Sequence, residues 1–331
     1  MSRQQFDWKT VAITAVIAII FFIFALFIDW REVWAQLRQA DYGYLLLASV
    51  LLLIGLVGYA VRWRLLMRNL PSLRRTFHAS NIAHAGNTFL PARAGEAARI
   101  IAISNSDNVS KTEATTSFVV ERLVEQFMRL LALGLAIGLG LGVEPSPTSI
   151  GGGIVMLVAA ILLTLWLVNN RQRVLKRGPH LLGRLPGLTL VRAERGLTDL
   201  IANLDRIATP GQFLQVMVWS FIPWAFFAGF HYFTLLALGD IFGEANLWLI
   251  ALGTLAFCPP SAPTNPGVYH AFLIGPLLAL GYGSEPSTAY AVMLHIVQSF
   301  WTLLLALWGV TGMGLSLREL FSLRSVPPRD F

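Results

Sequence analysis

The chain has 331 residues, 55% of them hydrophobic and only 13% charged, with a mean hydropathy of +0.62. Soluble domains carry about a quarter charged residues, so this composition excludes an ordinary soluble enzyme or binding module and points to a membrane protein of many passes. The formal charge of +7 does not point to nucleic acid, because the basic residues crowd into loops beside apolar segments, where anionic lipid headgroups account for them.

The first apolar stretch, "VAITAVIAIIFFIFALFI" (11–28), follows Arg3 and Lys9 and runs into "DWREVW" with no small-x-small cleavage site. It reads as a retained signal anchor. Full spans are expected at about 11–28, 43–65, 115–142, 151–169, 213–238 and 287–313, each near or above the roughly 18 apolar residues that crossing requires. Two further apolar segments are broken. One, 77–104, contains "NTFLPARAGEAAR" (87–99), and the other, 246–281, contains "CPPSAPTNPGVYH" (258–270). Pro259, Pro260 and Pro263 forbid a continuous helix, since each removes a donor and clashes with the preceding turn. Non-helical backbone at membrane depth is tolerated only inside protein or beside a wet cavity, so both segments read as re-entrant hairpins. Two short spans per broken segment would keep the same parity.

Lysine and arginine concentrate in 62–111, in 170–212 and in the C-terminal tail. They are missing from the loops 143–150, 239–246 and 281–287. With both termini cytoplasmic, this alternation holds if each broken segment returns to its own side, the first from the cytoplasm and the second from outside. The stretch 170–212 is a basic cytoplasmic linker. Within it "RAERGLTDLIANLDRI" (192–207) spaces apolar residues at 197, 200, 201, 204 and 207, the pattern of an amphipathic helix lying at the interface.

The broken segments resemble each other. "PARAG" (91–95) and "PTNPG" (263–267) are offset by 172 residues, and "RLVEQFMRLLAL" (122–133) aligns with "HIVQSFWTLLLA" (295–306) at an offset of 173. The expected fold is an all-α polytopic single domain (1–331) with about six transmembrane helices and two re-entrant hairpins. Repeat 1 covers about 43–142 and repeat 2 about 213–313. They are inverted, as in transporters whose sites lie where discontinuous helices meet. The breakers are Pro91, Gly95, Pro263, Pro266 and Gly267.

If helix resumes after Pro91, Arg93 and Glu96 share a face, as do Glu96 and Arg99. A charge at the bilayer centre costs about 2.5–3.5 kcal/mol on insertion scales, so such residues pair or face a cavity. Arginine forks match phosphate oxygens, which makes Arg93, Glu96 and Arg99, with Asn87 at the head of the motif, a candidate lipid-phosphate site. The alternative is a buried ion-pair clasp that fixes the hairpin. "ERLVEQFMR" (121–129) adds Glu121, Arg122, Glu125 and Arg129 as charges facing the first hairpin, with pairs at Arg122–Glu125 and Glu125–Arg129 spacing; Glu121 and Arg122 join the candidate substrate-binding site, a structural network being the alternative. In the second unit Asn265, His270 and His295 are candidates, His295 at the position aligned with Arg122. A histidine titrates near neutral pH, but each could equally be a hydrogen-bonded core residue. His231 reads as structural, and His78 and His84 flank the first hairpin. There is no H-E-x-x-H, G-x-S-x-G, P-loop or dinucleotide fingerprint. No metal, cofactor, catalytic residue or ATP-driven step is therefore expected. The single cysteine, Cys258, excludes an intramolecular disulfide.

"GNTFLPARAGEAARI" with "ERLVEQF" and "PTNPGVYHAF" resembles the lysylphosphatidylglycerol synthase transmembrane family, relatives of the flippase domain of the multiple peptide resistance factor. The most specific part is Leu90, Pro91, Arg93, Gly95, Glu96 and Arg99, with Glu121 and Arg122 downstream. The resemblance implies movement of lipids between leaflets, of aminoacylated phospholipids in some relatives and of polyprenyl-phosphate sugars or hopanoids in others. It implies the cytoplasmic (inner) membrane of a prokaryote as the location. Many relatives carry Pro-x-Gly-Gly-x-Gly and then Glu in the second hairpin, where this chain has "PTNPGVYH" and His270. The soluble aminoacyl-transferase domain is not expected, and neither is lipid synthesis by this chain. The expected function is a flippase or scramblase for a phosphate-bearing lipid. The alternative is a membrane-embedded enzyme or a scaffold in lipid-linked glycan or aminoacyl-lipid synthesis. Expected partners are membrane lipids, with a second copy of the chain (through 11–28 and 151–169) and a separate synthase as protein candidates.

Overall fold

The protein was analysed as a computed structural model whose described residues are 30–89, 94–106, 109–138, 210–243, 245–258 and 267–313, with isolated positions between 170 and 198. The expected spans at 11–28 and 151–169 lie outside these residues, as does nearly all of the linker helix. Every longer element among the described residues is an α-helix. They are α1 (Trp30–Arg38), α2 (Tyr42–Leu66), α3 (Leu73–Phe89), α4 (Ala94–Ser106), α5 (Lys111–Gly138), α6 (Pro210–Ala237), α7 (Leu247–Phe257), α8 (Val268–Ala279) and α9 (Ser284–Gly312), with a short 3-10 turn at Gly239–Phe242.

Three of them are long and apolar enough to cross a membrane: Tyr42–Leu66, Leu214–Ala237 and Ser284–Gly312. They coincide with the expected spans at 43–65, 213–238 and 287–313. The helix α2 starts where Asp41 accepts from the amides of Gly43 (2.7 Å) and Tyr44 (3.4 Å). This satisfies donors that a helix start leaves open. Along α9, Ile296, Phe300, Leu303 and Leu307 recur at spacings of four, three and four and are exposed. That is an outward apolar stripe of the kind lipid covers. The fourth long helix, α5, covers most of the segment 115–142 expected as a span, but it is not among the helices apolar enough to cross a membrane. Its 28 residues include Glu113, Glu121, Arg122, Glu125 and Arg129, which set it apart from the three apolar helices.

The broken segments are each two short helices, α3 and α4 around residues 90–93, and α7 and α8 around 258–267. The arms α4, α7 and α8 have 13, 11 and 12 residues. They rise about 16–20 Å at 1.5 Å per residue, less than the roughly 30 Å hydrocarbon core. Asn246 caps α7 by accepting from Trp248 (3.1 Å) and Leu249 (3.3 Å).

The helices pack reciprocally. The long helices α2 and α6 lie against each other, α3 lies against α9, and α7 lies against α5. Small residues set these crossings, because they let backbones approach. Gly55 faces the Phe227 ring, and a Cβ on Gly58 would sit 3.1 Å from Pro223. At the α3–α9 crossing a Cβ on Gly309 would lie 3.1 Å from the His78 carbonyl oxygen. The main core joins Leu52, Leu56 and Tyr59 of α2 to Phe227 and Phe230 of α6 and to Tyr269 and Leu273 of α8.

Candidate functional site

The charged residues of α5 meet the first break. Glu121 is fully buried and stands at the centre. Its Oε1 accepts from Arg62 Nη2 at 3.1 Å, and its Oε2 accepts from Arg99 Nη2 at 2.8 Å. Arg122 Nη2 lies 3.5 Å from Glu121 Oε1, and Arg122 Nη1 lies 2.8 Å from Glu125 Oε2. Arg99 also holds Glu96, Nε to Oε2 at 2.9 Å, and Asn87 Nδ2 donates to Glu96 Oε1 at 3.2 Å. Arg122 Nη2 completes the ring 3.9 Å from Glu96 Oε1. Three arginines and three glutamates balance in formal charge. An unpaired ion here would cost several kcal/mol, and this balance removes that cost.

Aromatic faces close around the cations. The Arg62 guanidinium lies 4.0 Å over Tyr59, and that of Arg99 lies 4.4 Å over Trp63 and 4.9 Å over Phe118. Trp63 Nε1 is satisfied by Ser117 Oγ at 3.1 Å. Such stacking strengthens once water is excluded. Of the six charged side chains, four are at most 2% exposed. Arg122 at 18% and Glu96 at 12% are the open members. Arg122 is thus the most exposed cation of the cluster.

The local sequence dictates this arrangement. Helix resumes at Ala94, which puts Glu96 in the first turn of α4, where the helix dipole favours an acid. Gly95 lets α4 fold back on α3, since a Cβ there would strike the carbonyl oxygen of Ala83 and sit 2.7 Å from the Asn87 amide. That close approach brings Asn87 to Glu96.

At the second break Gly267 takes φ +95°, in the left-handed region that glycine tolerates, and starts α8. Its amide donates to His270 Nδ1 at 3.4 Å. The rings of His270 and His295 meet edge to face at 4.9 Å, Tyr269 lies 4.9 Å from His295, and the Tyr269 hydroxyl donates to Gln298 at 3.0 Å. His231 sits in a buried triangle, its Nδ1 2.8 Å from the Tyr290 hydroxyl and 3.0 Å from Thr254 Oγ1. Its reading as a structural histidine fits that position.

The structure thus gathers Asn87, Glu96, Arg99, Glu121 and Arg122 into one cluster and pairs His270 with His295. Arg93, Asn265, Pro91, Pro263 and Pro266 lie outside the described residues. Arg62, Tyr59 and Glu125 belong to the first cluster but not to the site set drawn from sequence. In the sequence Arg62 counts only as one of the basic residues that close the apolar run 43–65. The Glu125–Arg129 pair that spacing allows does not form; Glu125 is held by Arg122 instead.

A family model described as "Lysylphosphatidylglycerol synthase TM region" matches residues 11–306. Comparisons with curated proteins and with solved structures give no match.

Proposed function

Because the chain belongs to the lysylphosphatidylglycerol synthase transmembrane family, we propose that it moves a phosphate-bearing lipid between leaflets. The family and the apolar helices make it a membrane protein with a lipid-related role; the transport step is our reading. One observation carries it: a charge-balanced cluster centred on Glu121, sealed except at Arg122 and Glu96, lies where the helix of the first broken segment stops and restarts.

In this reading both termini face the cytoplasm of a prokaryotic inner membrane. The segment α3–α4 enters from the cytoplasmic side and α7–α8 from outside. The two units are inverted repeats, each with its broken segment laid against the last helix of the other. The packing of α3 on α9 and of α7 on α5 supports this. A lipid headgroup reaches the first break while its acyl chains stay in the bilayer. Its phosphate competes with Glu96 and Glu125 for Arg122, and Arg93 follows from the motif as the second phosphate ligand. Glu121 keeps Arg62 and Arg99 in place throughout. Rocking of one unit against the other alternates access. No covalent chemistry is assigned to the chain.

The test is leaflet exchange in liposomes that carry the purified protein and a tail-labelled phosphatidylglycerol, read with an impermeant quencher. Arg93→Ala and Arg122→Ala should exchange at least tenfold more slowly than wild type while keeping a folded elution profile. Normal exchange in Arg93→Ala and Glu96→Ala would place the site elsewhere.

A further inference from the structure

The short helix α1 carries more apolar surface than the bundle covers. Along Trp30–Arg38, Trp30, Val33, Trp34 and Leu37 fall within an arc of about 100°. Arg31 and Arg38 border that arc on the Trp34 side. Glu32 and Gln36 stand on the far side, where Gln36 Nε2 donates to Glu32 Oε1 at 3.5 Å. One edge of the stripe is occupied: Val33 is buried against Ala289 of α9, with Leu37 and Ile241 packed beside them. The other edge is open, with Trp30 48% and Trp34 55% exposed. The Arg38 guanidinium lies 5.0 Å over the Trp34 ring.

The packing sets the depth of this helix. The amide of Asp41, the cap of α2, donates to the Ala237 carbonyl oxygen at 2.7 Å, so one span begins where another ends, three residues after α1. With 29 residues α9 is about 43 Å long, roughly 13 Å more than the hydrocarbon core. Centred on that core, it emerges by about 6–7 Å at each end. Ala289 lies about 8 Å from its start, so α1 rests on the flank of the bundle where hydrocarbon gives way to headgroups. Tyr42 and Tyr44 of α2 and Trp248 of α7 are exposed at the same end, and the loops 239–246 and 281–287 there hold no Lys or Arg. Tryptophan and tyrosine concentrate at such a boundary because the ring is apolar and its N–H or O–H is polar.

We infer that α1 is an interfacial helix whose Trp30–Trp34 edge sits in the phospholipid headgroup layer at this end, the outer one in the topology proposed above, with Arg31 and Arg38 level with the lipid phosphates. The order of groups around the helix matches the order of the layer: apolar contact with the bundle, then indole rings, then guanidinium. Because α1 also grips Ala289, it fixes the start of α9 to the bilayer surface. The inference needs only placement in a membrane, so its failure would leave the lipid-transport reading untouched.

The test is a depth measurement on the full chain in a Cys258→Ala background, in vesicles of phosphatidylcholine with phosphatidylglycerol. A nitrobenzoxadiazole fluorophore is attached at Trp34→Cys, at Trp30→Cys and, as the control on the far side of the same helix, at Glu32→Cys. Two quenchers are compared: iodide in the water, and a phosphatidylcholine with a nitroxide high on its acyl chain. All three positions share one helix, so mixed orientation in the vesicles affects them alike. The nitroxide lipid should quench positions 30 and 34, and iodide should quench them about threefold less than position 32. Iodide quenching at 30 and 34 equal to that at 32, in protein with a folded elution profile, would overturn the inference. So would shielding of 30 and 34 from both quenchers, which would assign the open edge to a second copy of the chain or to its own residues before Trp30.

Discussion

Glu121 receives Arg62 on one carboxylate oxygen and Arg99 on the other, with no exposure to soften the balance. Glu121→Gln keeps the shape and removes the charge, which leaves an excess of buried guanidinium. Breaking a buried pair in this way costs about 3–5 kcal/mol, so Glu121→Gln should unfold well below wild type in a detergent thermal scan. Glu96→Gln, partly exposed, should lose less. Equal melting of Glu121→Gln and wild type would contradict the clasp. Much of this cluster was legible in the sequence: Glu96 and Arg99 are three apart on a resumed helix and do pair. Arg62 was not. It stands two residues before Arg64 at the end of an apolar run, where it reads as a topology signal, and only the α2–α5 contact shows that its side chain turns inward. The choice of Arg122 over Arg129 as partner of Glu125 was equally hidden, since three- and four-residue spacings both permit a pair.

The breaks at the level of helices follow from local chemistry. Clustered proline and glycine interrupt a helix, so the position of both breaks could be read directly, whereas the single prolines Pro223 and Pro276 sit inside α6 and α8 without ending them. How tightly the arms fold back could not, because that depends on what faces each glycine. Gly95 abuts backbone of α3, whereas Gly134 on α5 has open space around it. Gly95→Ala should therefore cost stability at the upper end of the roughly 1–3 kcal/mol typical of overpacking and loosen the Asn87–Glu96 contact. Gly134→Ala should gain up to about 1 kcal/mol from helix propensity. Parallel thermal scans of the two variants check both, and equal effects would refute the close approach. In the second unit the hydrogen-bonded triangle of His231, Thr254 and Tyr290 links α6, α7 and α9. The two broken segments are thus held by different chemistry although their sequences align.

Across the whole molecule, α3 lies against α9 and α7 against α5, contacts between segments far apart in sequence that no local pattern discloses. They also say what must move if one unit rocks against the other. A Cβ at Gly309 would lie 3.3 Å from the His78 Cβ, close to disulfide geometry. In a Cys258→Ala background, His78→Cys with Gly309→Cys should cross-link on oxidation and stop lipid exchange, and a reductant should restore it. Undiminished exchange in the cross-linked protein would rule out rocking at this crossing. The most direct test of the central claim needs no variant: wild-type protein in liposomes, a tail-labelled phosphatidylglycerol, and a quencher that reaches only the outer leaflet. The account predicts that the quenched fraction rises from about half, as in protein-free vesicles, toward completion in every vesicle holding the protein, and faster for phosphate-bearing lipids than for a phosphate-free one. Quenching that stops at the protein-free level with every headgroup, in protein shown to be folded, would contradict lipid transport and favour a scaffold or enzyme role for the same cluster.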